Sequence, residues 1–178
     1  NVDYKKLENI VKLLKKLRKQ SGRLFFIGVG GSAANCSHAV NDFRKLCAID
    51  AITPLDNVSE LTANINDNGW DNSLINHLKI SKIDNKDVLF VLTVGGGNFK
   101  KNVSVNLIKS INYAKKNKIK VIGICGKEDG HLQRNADIVI VVPNVNSALV
   151  TPYSESFQSV ILHSIVSDPK LQVKKTKW

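Results

Sequence analysis

The chain has 178 residues, a formal net charge of +11 and 43% apolar residues. That length is enough for one domain with a substantial core, and no apolar run approaches the length of a membrane span. The lysines concentrate on expected polar helix faces and are not interleaved with aromatic residues, as a surface that stacks nucleic acid bases would require. We therefore expect one globular domain over 1–178, with no membrane and no nucleic acid partner.

The three cysteines, Cys36, Cys47 and Cys125, are scattered along the chain without a C-x-x-C pair. Such an odd, scattered set favours reduced thiols in a cytoplasm over a disulfide framework. We expect all three to be buried packing residues. Cys36 is the one close enough to the candidate site described below to modulate it.

An amphipathic helix is predicted within residues 1–22, because apolar residues recur at helical spacing from Leu7 to Leu17 with lysines opposite. A short apolar run, Leu24–Ile27, then meets the glycine cluster Gly28–Gly31. The chain continues without Gly or Pro to Ile49. This pattern predicts a strand, a tight loop and a helix from Ser32 to about Leu46.

The glycine loop leads into a helix N-terminus, where free backbone N–H groups favour an anion. It matches neither G-x-G-x-x-G nor G-x-x-x-x-G-K-[ST], so we expect no nucleotide cofactor. A glycine turn of this kind is also a common structural feature, so the loop alone decides nothing. The residues Ser32, Asn35, His38 and Asp42 follow it at spacings that place them on one helix face.

The rest of the chain alternates strands and helices. Further strands are predicted at 48–55, 88–92, 121–125 and 138–142. Further helices are predicted after a Ser59 cap, at 72–79, 103–117 and 131–135, and from the cap Thr151 and Pro152 through 153–166. A polar loop is predicted at 64–70, a second glycine loop at 93–98 and a basic tail at 170–178.

Apolar strands that alternate with helices predict an α/β fold, a parallel sheet of about five strands covered on both faces. Ligands of such sheets bind outside the carboxyl ends of the strands. Both glycine loops follow strands directly, so we expect them to face one pocket at that edge.

Four ionisable residues can reach such a pocket: His38 and Asp42 on the first loop's helix, and Glu155 and His163 on the last helix. Carboxylates and imidazoles suit proton transfer at a carbon next to a carbonyl group. The same four side chains could instead hold a metal such as zinc. Nothing in their spacing alone brings the two helices together.

Ordered motifs between Leu24 and Leu171 resemble those of the SIS (sugar isomerase) domain family, and within it the phosphoheptose isomerases. They are Gly30-Gly31-Ser32 with His38 six residues on, Asn66-Asp67 before an aromatic, the loop Thr93–Asn98, and Val150-Thr151-Pro152 leading to Glu155 and His163. The resemblance implies a three-layer α/β/α sandwich of flavodoxin or Rossmann type. It also implies a homo-oligomer, a tetramer or dimer, with sites between subunits.

The resemblance further implies conversion of sedoheptulose 7-phosphate to D-glycero-D-manno-heptose 7-phosphate through an enediol, for lipopolysaccharide or capsule synthesis. It implies Asp42 as general base and His163 as general acid. It implies zinc, present in some members, on His38, Asp42, Glu155 and His163. The residues it implies for the phosphate and sugar are Gly30, Gly31, Ser32, Asp67, Thr93, Gly95, Gly96, Gly97 and Asn98.

This chain departs from the family pattern at several of these positions. Asp42 stands where most members have Glu, and a 1 Å displacement of a catalytic group can cost about a hundredfold in rate. The usual Ser-rich phosphate loop is Thr93–Asn98 here, so backbone N–H groups must carry more of the binding. Pro152 and Gln158 replace an aspartate and a histidine of the family.

Two alternatives to the heptose reaction remain at this point. One is a non-catalytic SIS module that binds a sugar phosphate or docks a partner. The other is an isomerase for a different sugar phosphate. The first 23 residues hold one predicted helix and no helix-turn-helix, which argues against a transcription regulator of this family.

Overall fold

The computed structural model describes residues 3–176. Its strands form one five-stranded sheet in the order β2-β1-β3-β4-β5, with every pairing parallel. The strands are β1 (Arg23–Ile27), β2 (Asp50–Ile52), β3 (Val88–Leu92), β4 (Lys120–Cys125) and β5 (Ile138–Val141). The predicted parallel sheet of about five strands is confirmed.

Helices cover both faces of the sheet and complete the predicted three-layer α/β/α sandwich. They are α1 (Tyr4–Lys19), α2 (Gly31–Cys47), α3 (Val58–Asn68), α4 (Trp70–Ile80), α5 (Val105–Lys116), α6 (His131–Asn135) and α7 (Val150–Val166). None of these described helices is both long and apolar enough to cross a membrane.

Successive strand residues point to opposite faces and build two cores. Phe26 and Phe90 pack with α1, α2 and α7 on one face. Phe25, Leu89 and Val91 pack with α4, α5 and α6 on the other. Because both faces are covered, the strands read as continuous apolar runs, as a parallel sheet requires.

The prediction of a polar loop at 64–70 is wrong, because most of this segment is the end of helix α3. The capping residue is Asn57, whose Oδ1 accepts from the Glu60 N–H at 3.2 Å, and not Ser59. No residue of α3 is fully buried. The apolar stripe that normally reveals a helix is therefore weak in this segment.

The last helix begins three residues earlier than predicted. A single 3₁₀ turn, Ser147–Leu149, runs directly into α7 at Val150. Thr151 is thus the second helical residue and not the cap, and Pro152 is the third. Proline is tolerated there because the first-turn N–H groups have no partner within the helix.

The strand order places a crevice at the carboxyl edge of the sheet. The connection after β1 leads outward to β2, whereas the connection after β3 leads the other way to β4. The crossovers therefore diverge between β1 and β3, and open α/β sheets bind ligands at such a point. Both glycine loops begin there, after Ile27 and after Leu92.

Candidate active site

Helices α2 and α7 bring three of the four predicted ionisable residues together. The Nε2 atoms of His38 and His163 lie 2.9 Å apart. Asp42 Oδ2 lies 3.2 Å from His38 Nε2 and 3.5 Å from His163 Nε2. The cluster therefore joins residues 125 positions apart in the chain, a contact that sequence spacing could not predict.

The 2.9 Å distance between the two Nε2 atoms is within hydrogen-bond range, and which imidazole donates depends on its tautomer. The Asp42 side chain is 13% exposed, against 49% and 54% for the His38 and His163 side chains. The carboxylate thus lies at the base of the cluster, and the two imidazoles are open to an incoming molecule.

These three side chains fit a metal ion. One ligand atom from each of His38, Asp42 and His163 lies within 4.8 Å of the others. Two imidazole nitrogens and one carboxylate oxygen are a donor set that zinc uses in catalytic sites, where a further position stays open. Among the described residues, this is the one group with suitable geometry.

Glu155, the fourth residue expected at the metal, lies elsewhere on α7. A Cβ built on Gly31 would lie 2.8 Å from Glu155 Oε1, so the carboxylate packs against the start of α2. It is absent from the three-residue group. Glycine at position 31 is what leaves room for this carboxylate.

The predicted face of α2 is confirmed, because all four of its polar residues meet α7. His38 and Asp42 contact His163, as described above. Asn35 Nδ2 donates to the Glu155 carbonyl at 2.8 Å and to Gln158 Oε1 at 3.0 Å. Ser32 Oγ accepts from Gln158 Nε2 at 3.1 Å and is buried at 1% exposure.

The second glycine loop borders a cavity of about 540 Å³. Val29 from the first loop and Thr93, Val94 and Gly95 from the second line the same cavity, which supports the predicted shared pocket. Gly96 and Gly97 turn with φ of +73° and +82°, values that favour glycine. Their carbonyls accept from the Leu132 and His131 N–H groups of α6.

The remaining expected site residues lie at the edges of this region. Gly30 precedes α2 with φ of +64° and open space around it. The Asn98 N–H donates to the Val103 carbonyl at 2.9 Å, and Asn98 Oδ1 accepts from the Lys101 N–H at 3.0 Å. Asp67 is exposed on the last turn of α3, where Asn66 Nδ2 donates to it at 2.8 Å.

Sequence reasoning missed several polar residues that line the cavity. They are Ser104, Lys127, Asn144, Ser147 and Thr151, the last predicted as a helix cap and as part of a family motif but not as a site residue. Lys127 and Asn144 follow β4 and β5 at the carboxyl edge of the sheet, and that position was the available signal.

The cysteines are buried, as predicted. Burial raises the pKa of the Cys36 thiol well above its ordinary value. Burial likewise raises the pKa of Cys47 and of Cys125, each to about 11. Cys36 is therefore a neutral packing residue on the buried face of α2 and not a reactive thiol.

The family model for the SIS domain matches residues 3–126. A phosphoheptose isomerase of Leptospira biflexa is 32% identical over 146 residues, which cover 78% of this chain and 71% of that protein. Another, from Chlorobaculum tepidum, is 28% identical over 137 residues. That match spans 73% of this chain but 62% of the relative's length.

Solved structures show the same fold at low sequence identity. A phosphoheptose isomerase from Neisseria gonorrhoeae superposes with a TM-score of 0.78 at 21% identity, covering 91% of this chain and 83% of that one. The sugar isomerase domain of an RpiR transcription factor from Sphaerobacter thermophilus gives 0.60 at 13% identity, covering 92% and 78%. From the family match and the Leptospira relative, the chain belongs to the SIS domain family.

Proposed function

We propose that this protein is an aldose–ketose isomerase of sugar phosphates. The substrate is sedoheptulose 7-phosphate and the product D-glycero-D-manno-heptose 7-phosphate, which feeds lipopolysaccharide or capsule synthesis. The observation that carries the proposal is the convergence of His38, Asp42 and His163. Relatives named phosphoheptose isomerase support the choice of sugar.

In this reaction the carboxylate and the imidazole divide the proton transfers. Asp42 removes a proton from C1 of the ketose, and the released electron pair forms the C1–C2 double bond of an enediol. His163 gives a proton to the C2 oxygen as that double bond forms. Asp42 then returns its proton to C2, and the His163 imidazole takes the proton from O1, which completes the aldose.

Zinc is a proposed cofactor of the same three side chains; Glu155, expected from the sequence as a fourth ligand, lies against Gly31 and outside this group. When bound, zinc supplies a Lewis acid that polarises substrate oxygens. The neutral imidazole nitrogens and the Asp42 carboxylate are the forms that such an ion needs. The phosphate belongs at the second glycine loop, with Gly30, Gly31 and Ser32 nearby and Asp67 contacting the sugar.

We also propose a cytoplasmic homo-oligomer, a tetramer or dimer. Half of each imidazole surface in the cluster is exposed in one chain. A proton-transfer site that excludes water needs more cover than this. A neighbouring subunit would supply that cover.

A binding module without turnover is the second candidate. Asp42 is one methylene shorter than the glutamate of most family members, and it already contacts both imidazoles. The fold likeness to the sugar isomerase domain of a transcription factor fits such a role. This candidate predicts sugar phosphate binding with no product.

The deciding experiment measures isomerisation of sedoheptulose 7-phosphate by the purified protein, with added zinc and after chelation. Asp42→Asn and His163→Ala should each lower kcat by about a hundredfold or more, because positioned acid–base groups contribute that much. Glu8→Gln, on the exposed face of α1, is the control. Thermal stabilisation by sugar phosphates without turnover would establish the binding module instead.

A further inference from the structure

The second glycine loop offers an anion backbone N–H groups but few side-chain donors of its own. Thr93 carries the loop's one hydroxyl, which is nearly buried and accepts from the Gly96 N–H at 3.3 Å. Ser32, from the first loop, is committed to Gln158. A phosphate group bound there must therefore draw charge and hydroxyls from other elements.

The adjoining cavity supplies those groups. Three hydroxyl residues line it together with Gly95: Ser104 before α5, Ser147 in the 3₁₀ turn and Thr151 in α7. Ser147 and Thr151 are exposed, and Ser104 is half-buried. The Gly95 N–H donates to no acceptor within residues 3–176. Hydrogen-bond donors from three separate chain segments thus converge on one space.

Lys127 supplies the charge. It is the one charged residue among those lining the cavity, which include no carboxylate. Its ammonium group makes no ion pair or hydrogen bond with the part of the chain that the structure describes. An unneutralised ammonium beside hydroxyl groups and a free backbone N–H favours a phosphate.

A second cavity, of about 620 Å³, lies on the other side of Lys127. It is lined by Glu128 and Asp129, which repel an anion. Lys127 and Asn144 line both cavities. The distribution of charge therefore selects the first cavity for a phosphate and excludes the second.

We propose that Lys127 is the counter-ion of the substrate phosphate, with the hydroxyls of Ser104 and Thr151 as donors beside it. This inference rests on the proposed function and deepens it, because a lysine counter-ion would recognise substrates that carry a phosphomonoester and not free sugars. It assigns to Lys127 the binding that a Ser-rich loop would otherwise provide. Lys127 follows β4 and is not part of the His38, Asp42 and His163 cluster.

The test measures binding of inorganic phosphate by calorimetry on the full chain, without any sugar. Lys127→Gln should weaken phosphate binding by about tenfold to a hundredfold, the range for loss of a charge-assisted contact. Lys127→Arg should retain most of it. Lys12→Gln, an exposed lysine on α1, is the matched control and should bind as the wild type does. Circular dichroism confirms that each variant is folded.

Turnover gives a second, separate readout. Lys127→Gln should raise the KM for the sugar phosphate about tenfold or more while kcat stays within about threefold. Loss of phosphate binding in Lys127→Gln supports the inference. It does so even if the wild type turns over no sugar phosphate, a result that would contradict only the proposed function. Phosphate binding unchanged in Lys127→Gln, or absent from the wild type, overturns the inference even where isomerase activity is high.

Discussion

Gln158 joins three elements through one fully buried side chain. Its Nε2 donates to Ser32 Oγ at 3.1 Å, at the start of α2, and to the Thr93 carbonyl at 3.2 Å, in the second glycine loop. Its Oε1 accepts from Asn35 Nδ2. Both hydrogens and the oxygen of this amide are therefore used, and the network holds the loops at a fixed distance from α7.

Replacing Gln158 by Leu should destabilise the protein by about 2–4 kcal/mol. The change leaves Ser32 Oγ and the Thr93 carbonyl buried without their donor, and each such loss costs about 1–3 kcal/mol. Urea denaturation followed by circular dichroism measures the free energy of unfolding. Gln20→Leu is the control. The Gln20 side chain donates one exposed hydrogen bond, to the Lys86 carbonyl, which should contribute less than about 1 kcal/mol. Equal losses in the two variants would contradict the network.

The residues of the site could be predicted in part from one helix face. Spacing placed Ser32, Asn35, His38 and Asp42 together, and the structure shows each of them against α7. Spacing could not show which helix would face them, because that depends on packing across the sheet. Lys127 was missed because its position after a strand, at the carboxyl edge of the sheet, is its one signal and marks many residues that bind nothing.

Helix α3 is weakly anchored to the rest of the fold. None of its residues is fully buried. Its main side-chain link to the rest of the fold is Glu60, whose Oε1 lies 2.7 Å from His77 Nδ1. His77 itself is nearly buried on α4 and lies edge-on to Phe25. The helix that carries Asp67 is therefore expected to open at low cost.

Hydrogen exchange should show this opening. In the wild type, amides of α3 should exchange faster than those of β3, because few buried contacts protect them. Glu60→Gln replaces the charged partner of His77 and should speed exchange in α3 by about threefold to tenfold, the loss expected for a partly exposed pair. Glu8→Gln should leave α3 unchanged. Exchange in α3 as slow as in β3 would contradict the expected opening of α3.

The four longer strands were predictable and the second half of α3 was not, for one physical reason; β2, predicted at 48–55, is shorter, at Asp50–Ile52. Strands buried on both faces appear as unbroken apolar runs such as Val88–Leu92, whatever surrounds them. The segment Asn64–Asn68 is rich in Asn and Asp, which usually marks turns. Its helical state depends on the Asn57 cap and on contact with α4, and both are set by the tertiary fold.

At the scale of the whole molecule, the excess of positive charge makes the contacts between carboxylates and lysines important. Asp137 lies between β4 and β5, where Oδ1 is 2.7 Å from Lys120 Nζ and Oδ2 accepts from the Val121 N–H at 2.9 Å. Lys115 Nζ approaches Oδ2 at 3.5 Å. Burial alone raises the pKa of Asp137, but these hydrogen bonds and lysine charges outweigh it and lower the pKa below 3.8.

A lowered pKa in the folded state means that the free energy of unfolding rises with pH. The unfolded chain binds the Asp137 proton more readily than the folded one, so this carboxylate stabilises the fold above about pH 4 and loses that effect as pH falls through the folded pKa. Asp137→Asn should cost about 1 kcal/mol from pH 5 to 8, since its contacts are partly exposed. The two free energies of unfolding should converge as pH falls below the lowered pKa of Asp137 in the folded state. Urea titrations at each pH measure the difference, with Glu8→Gln as the control, and a gap that persists at low pH would show that Asp137 acts through packing and not through its charge.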